Sequence, residues 1–382
     1  MSAGNTSKIS LSHQSNFMTS GMIAMSVATA GTMLSRVSRT EYGQTLDYSA
    51  GDLTKGDIAI LRFLAAMELI ESDLWQQYEE LGGATSSSDN RYRLALEELD
   101  AQISQHITRN TQCEISHAAY LNAFLKSEGV EPVDLDRFRV LRGSTANSAH
   151  DVGRLTNLFH LDMDTKWYLR YRSLEDPDSG PFLSPTFRIA NRQAIPRTEA
   201  DCERPAQIQA IANTAAFHFG YIEHVCASLY STLSQNLKRA RVLKVALGIG
   251  GDEIAQFLTW ADFAGVATQG SPFCFGKSRP SSTENGMSCW VFDIHHRRSF
   301  SRHEFNCPAT GDFMSKVLRQ WPVVLPRDDQ FDGAAATINS FTQNGLFVAQ
   351  SPDFLRKLAQ MAQDADAAAR SQSSLRVEDA LE

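Results

Sequence analysis

Ile58 to Trp75 reads IAILRFLAAMELIESDLW, with Ile58, Leu61, Leu64, Ala65, Leu69 and Leu74 returning at helical intervals. Just before it, Thr54 has Asp57 three positions on, the arrangement that closes a helix start. The spacing predicts a helix over about 55–80, ended by Gly82-Gly83 and the serines at 86–88. Glu68 interrupts its apolar face. A carboxylate buried there is costly without a partner, so this stretch asks what neutralises it.

Three further helices follow from the same reasoning. One opens near Asn90 and carries Leu94, Leu99, Ile103, Ile107, Ile115, Tyr120, Leu121 and Phe124 to about Ser127, with a break expected near Thr108–Thr111. Another begins with Pro205 as a first helical residue and holds an apolar stripe from Ile208 through Phe219, Ile222, Cys226 and Leu233 toward Lys238. The fourth follows Gly250-Gly251, with Asp252 as its cap, and reaches Phe263. The glycines from Gly248 to Gly251 lack a preceding strand, so they read as a turn between helices, not a phosphate loop.

The remainder is less periodic. Residues 128–203 contain Pro132, Pro177, Pro181, Pro185 and Pro196 and read as a long crossover with one short helix around 148–160. Residues 268–370 read as an irregular extension with a terminal helix from 352, begun by Ser351-Pro352-Asp353, and 371–382 as a disordered tail. The expected fold is all-α: four helices over 53–265, a long crossover between the second and third, and the C-terminal extension.

Residues 1–50 form a leader. Lys8 precedes FMTSGMIAMSVATAGTML (Phe17–Leu34), which holds Ala28-Thr29-Ala30, a small-x-small pattern of the kind cleaved after export. Its weak basic region and its Ser and Thr content fit a Ser/Thr-rich leader of a cytoplasmic protein equally well, so both addresses stay open. Of six cysteines, Cys113 and Cys226 fall in helical patterns and read as buried thiols. Cys202, Cys274, Cys289 and Cys307 lie in irregular segments and would be free to pair if the chain were exported.

Charge and hydropathy exclude some classes. With 36 Lys and Arg against 44 Asp and Glu in 382 residues, the net charge is −8. Basic runs such as Lys238-Arg239-Ala240-Arg241 and Arg297-Arg298 are too short for a nucleic-acid surface. No uninterrupted apolar run approaches the ~18 residues of a membrane span.

The four helices share an ordered set of polar residues: Glu68 on the first, Glu114 and His117 on the second, Glu223 on the third, Glu253 and Gln256 on the fourth. Residues three apart lie on one helix face. A Glu from each of two helices and a Glu-x-x-His from each of the other two is the pattern that holds two metal ions in a bundle core. Trp75 and Tyr230 stand two turns after Glu68 and Glu223 and read first as packing. Glu71 reads as a supporting or solvent-facing carboxylate. His224 points about 100° away from Glu223, and His218 is also off its face.

Bland readings compete with these. Glu114 lies three residues after Thr111 and would close a helix start, and Glu253 would serve a first helical turn. His117 would be a core histidine. The group His295, His296, His303 and Glu304, near Cys289 and Cys307, matches no standard zinc spacing and reads as a solvated loop or a disulfide region.

The chain resembles ferritin-like-domain proteins, in particular those related to plant desiccation-related proteins and often carrying an export leader. The likeness rests on DIAILRFLAAME (Asp57–Glu68), EISHAAYL (Glu114–Leu121), IQAIANTAAFHF (Ile208–Phe219) and EIAQFLTW (Glu253–Trp260), and more loosely on WYLRYR (Trp167–Arg172). It implies a ferritin-like four-helix bundle holding one or two iron or manganese ions, with an oxidoreductase or stress-related role. Gln256 stands where that pattern has His, and an amide oxygen is the poorer ligand, so the second metal position is weakened. The other reading is a non-enzymatic bundle whose metal site is lost and whose extensions contact a protein partner or a second copy. A closed storage shell fits poorly with such large extensions.

Overall fold

The computed structural model describes residues 52–164, 188–267, 273–274, 289–290 and 333–378. Contacts divide the chain into residues 1–44 and 45–382, and every described residue belongs to the second unit. The leader, Trp167–Arg172 and the His295 to Cys307 group lie outside the described residues.

Helix α1 (Lys55–Gly82) starts as its sequence dictates: the Thr54 hydroxyl accepts from the Asp57 amide, and the Asp57 carboxylate accepts from the Thr54 amide. Asn90 likewise caps α2 (Arg91–Glu97) by accepting from the amides of Tyr92 and Arg93. The helical run then breaks at Glu98–Gln102, earlier than expected, where Asp100 turns the chain by accepting from the Gln102 amide. α3 (Ile103–Ser127) continues unbroken through Thr108–Thr111. The Thr111 hydroxyl is bound to the carbonyls of Ile107 and Trp75, so it caps nothing and Glu114 sits in mid-helix.

After the short α4 (Glu199–Cys202), Pro205 opens α5 (Pro205–Ser234), which stops short of Lys238. α6 (Ala240–Ala267) runs straight through Gly248–Gly251, against the expected turn and the expected cap at Asp252. One of these glycines serves a close approach and not a turn: a Cβ at Gly250 would lie 2.9 Å from the Tyr230 Cβ on α5. Glu253 is therefore also a mid-helix residue. α1 packs along α3 and α5 along α6, and the two pairs meet through aromatic rings, with Trp75 stacked on Phe219 at 4.9 Å and on Trp260 at 5.1 Å.

The crossover carries no helix at 148–160. It holds two antiparallel strand pairs, β1 (Leu141–Arg142) with β2 (Gly153–Arg154), and β3 (Leu161–Asp164) with β4 (Arg188–Arg192). Asp73 on α1 explains this, because its carboxylate takes the amides of Leu155 and Thr156 at 2.9 Å each and the Thr156 hydroxyl at 2.7 Å. Those amides are then unavailable to a helix. Arg139 adds an ion pair to Asp73 at 2.6 Å.

A short pair, β5 (Phe273–Cys274) with β6 (Cys289–Trp290), sets Cys274 opposite Cys289 in backbone register. The described part of the C-terminal extension from residue 333 is mostly helical. A helix with no counterpart in the sequence reading, α7 (Ala334–Gln343), is capped by Asp366 of α8 (Pro352–Glu378), which accepts from the amides of Ala334 and Ala335. α8 extends through 371–378, read above as tail, and packs along α1 with Phe354, Leu358 and Ala365 buried. This part of the extension thus belongs to the protein's own core. Among the described residues no helix is long and apolar enough to cross a membrane.

Removing the Asp73 carboxylate strands several buried donors at once. Asp73→Ala is expected to lower unfolding stability by about 3–5 kcal/mol, measured by denaturant titration, while a change at exposed Asp136, the other partner of Arg139, should stay within about 0.5 kcal/mol.

Candidate metal centre

Four long helices each turn a pair of residues three positions apart toward the same interior region. α1 supplies Glu68 and Glu71, α3 Glu114 and His117, α5 Glu223 and Cys226, and α6 Glu253 and Gln256. The three-residue step rises roughly 4.5 Å and stays on one face, so each helix presents two donor groups at different depths. All five carboxylates are buried, with exposures of 1% for Glu68 and Glu71 and 0% for the other three. Burial this complete sets them apart from surface acids.

Their oxygens form two overlapping groups. In one, ligand atoms of Glu68, Glu114, His117 and Glu253 lie within 4.8 Å of one another, and in the other those of Glu71, Glu114, Glu223 and Glu253 do. Glu114 and Glu253 belong to both. His117 Nδ1 faces Glu114 at 3.3 Å and Glu68 and Glu253 at 3.4 Å each, while its Nε2 faces Asp252 at 3.5 Å. An acid behind the distal nitrogen is the usual means of orienting a ligating imidazole.

A second layer holds the carboxylates. The Asn110 amide donates to Glu114 at 3.0 Å and to Glu223 at 2.9 Å, and the Trp260 indole fixes that amide by donating to its oxygen at 2.8 Å. Gln256 Nε2 donates to Glu114 Oε1 at 2.7 Å. Thus Gln256 reaches the cluster as a hydrogen-bond donor to a carboxylate. Tyr230 donates to Glu68 and the Cys226 thiol to Glu71. Even so, one buried oxygen each of Glu71 and Glu223 receives no hydrogen bond from a described donor. Native interiors rarely tolerate this, and cation-binding carboxylates are one reason they do.

Electrostatics follow from the crowding. Burial, then the Glu68 charge, pushes Glu253 up to about 7, with His117 opposing. Burial and neighbouring carboxylates also hold Glu71, Glu114 and Glu223 well above the ordinary range. For His117 burial favours the neutral ring, but hydrogen bonds to Glu114, Glu253 and Glu68 outweigh it and keep the imidazolium. The Cys226 thiol is raised by burial and by Glu71. One imidazolium against five carboxylates leaves protons or cations to supply the rest.

The residues singled out in the sequence, Glu68, Glu114, His117, Glu223, Glu253 and Gln256, therefore meet in one place. Sequence reasoning missed Glu71 as a cluster member, along with Asn110 and Cys226. For Glu71 and Cys226 the signal was present, since each follows a selected Glu by three residues. Cys113, expected to be buried, is exposed. His218 stays out of both oxygen groups, bonded instead to the Tyr78 hydroxyl at 2.6 Å and pushed down to about 3 by burial. His224 packs on Phe257. A cavity of about 160 Å³ between α3 and α6 is lined by Arg109, Asn110, Cys113, Gln256 and Trp260 among others, and so includes the two amides that hold Glu114.

No family model, curated protein or solved structure matches this chain.

A carboxyl whose folded pKa is raised binds more protons folded than unfolded, so its contribution is complete below the unfolded value and lost as pH rises through the folded one. For Glu253 that window runs from 4.5 to about 7. Metal-free protein should lose melting temperature across this window. Glu253→Gln should flatten the loss and raise metal-free stability at pH 8 by up to about 3 kcal/mol. Thermal scans in chelator across pH check this, and a melting temperature that climbs from pH 5 to 8 would contradict it.

Proposed function

We propose that this chain is a metal-binding protein of the ferritin-like kind, in which α1, α3, α5 and α6 form the four-helix bundle and the glutamate cluster holds two divalent ions. The observation that carries this reading is the burial of five glutamates and one histidine from four helices, with ligand atoms in two groups each spanning at most 4.8 Å. Two ions sharing Glu114 and Glu253 would leave Glu68 and His117 to one position and Glu71 and Glu223 to the other. Carboxylate and imidazole donors suit iron or manganese.

Such ions would supply Lewis acidity and one-electron chemistry toward a small oxidant, which fits an oxidoreductase or stress-related role. The protein's own residues set the conditions. Burial excludes bulk water, and Asn110 and Gln256 fix the rotamer of Glu114 through its Oε1. Tyr230 holds Glu68 in the same way. His117, as imidazolium, must surrender its Nδ1 proton before that nitrogen can face a cation, so loading releases protons and strengthens with pH.

One observation favours a second reading, a non-enzymatic bundle. Two amide donors already occupy Glu114 Oε1, an atom that a bridging carboxylate would offer to metal. Elemental mass spectrometry after anaerobic Fe(II) loading decides between them. About two ions per chain is the expected result, about one would match the loss of a single position, and none would establish the non-enzymatic reading. His117→Ala should cut Fe(II) affinity at least about tenfold, whereas Gln256→His should raise it. No response to Gln256→His would argue that this position does not reach the ions.

A further inference from the structure

We propose that Cys226 is a metal ligand, so that the deeper metal position is a sulfur- and oxygen-lined site for a borderline, thiophilic divalent cation such as Fe²⁺, Co²⁺ or Zn²⁺. The proposal rests on the reading that the cluster binds metal, and adds to it a ligand and an ion class. Cys226 is free and 1% exposed, one helical step from Glu223 on the inward face of α5. Its sulfur lies within 4.8 Å of oxygens of Glu71 and Glu253, which themselves lie within that distance of each other. Three donor atoms from three helices thus surround one point.

A thiol in a protein core is unremarkable alone, since cysteine packs as a small apolar group. Glu71 makes the difference. It is buried beside the thiol, takes a hydrogen bond from it on one oxygen, and keeps its other oxygen without a hydrogen bond from any described donor. Two anion-forming groups and an unsatisfied buried oxygen converge with Glu253, and a cation satisfies all three. The thiol proton leaves to solvent as the sulfur–metal bond forms, leaving the oxidation states unchanged.

The arrangement also bears on Gln256. A centre with a single imidazole has one nitrogen-bearing position, held by Glu68, Glu114, His117 and Glu253. Glu71 and Cys226 give the other position a carboxylate and a thiolate in place of the missing histidine. Sulfur donors favour zinc, cobalt and ferrous iron over magnesium, calcium and manganese, so the two positions should differ in ion preference.

The test uses the full chain, reduced and titrated anaerobically with Co²⁺. The expected result is about two cobalt ions per chain and a sulfur-to-cobalt charge-transfer band in the near ultraviolet. Cys226→Ser should abolish that band and leave about one cobalt, while Cys113→Ser, at the exposed cysteine, should leave both unchanged. Should Cys226→Ser fail to fold by circular dichroism, the isosteric Glu71→Gln serves instead and should shift the band's appearance to at least about tenfold higher cobalt. Cobalt binding without the band, or a band that survives Cys226→Ser or is indifferent to Glu71→Gln, overturns the thiolate ligand and leaves the carboxylate site standing. Absence of any cobalt binding overturns both.

Discussion

Five carboxylates buried together, three of them against one imidazole, are the constraint on which the rest of this structure depends. Two full charges about 5 Å apart repel by roughly 3 kcal/mol at an effective dielectric near 20, and burial adds a desolvation cost to every one of them. Protonation relieves part of this, and burial with the Glu68 charge pushes Glu253 in that direction. A pair of divalent cations would relieve it more fully. Until one or the other arrives, the surrounding scaffold must hold like charges together.

That scaffold is built around α1. Its inward face carries Glu68 and Glu71, and two residues further on Asp73 anchors the crossover through Leu155 and Thr156. α8 covers another side, close enough that a Cβ at Gly56 would meet Ala368 at 3.1 Å. The aromatic layer of Trp75, Phe219 and Trp260 packs the same core, and its indole at Trp260 fixes Asn110. Packing and site are thus coupled through individual residues: the ring that fills the core also orients the amide that holds Glu114 and Glu223.

Much of this was legible in the sequence, because helices register side chains every three to four positions. The apolar period around Glu68 and the steps from Glu114 to His117 and from Glu253 to Gln256 placed those residues on inward faces before any coordinates. What stayed hidden depended on long-range contacts. Gly248–Gly251 carries the local signature of a turn, yet α6 runs through it and Gly250 makes room for Tyr230 of α5. The non-helical course at Leu155 and Thr156 is held by Asp73, some eighty residues away in sequence. Glu71 stayed open between a supporting and a solvent-facing role because an isolated acid on a helix is ordinarily solvated, and its burial removes the second. The leader and the His295 to Cys307 group lie outside the described residues.

The central claim, that the glutamate cluster is a cation site, is tested most directly by anomalous diffraction from crystals grown anaerobically with Fe(II). Difference maps at the iron edge should show density in the gap bounded by Glu68, Glu114, His117 and Glu253, with Asp252 behind the imidazole. A gap without anomalous signal, with His117 still hydrogen-bonded to its three carboxylates, would contradict it.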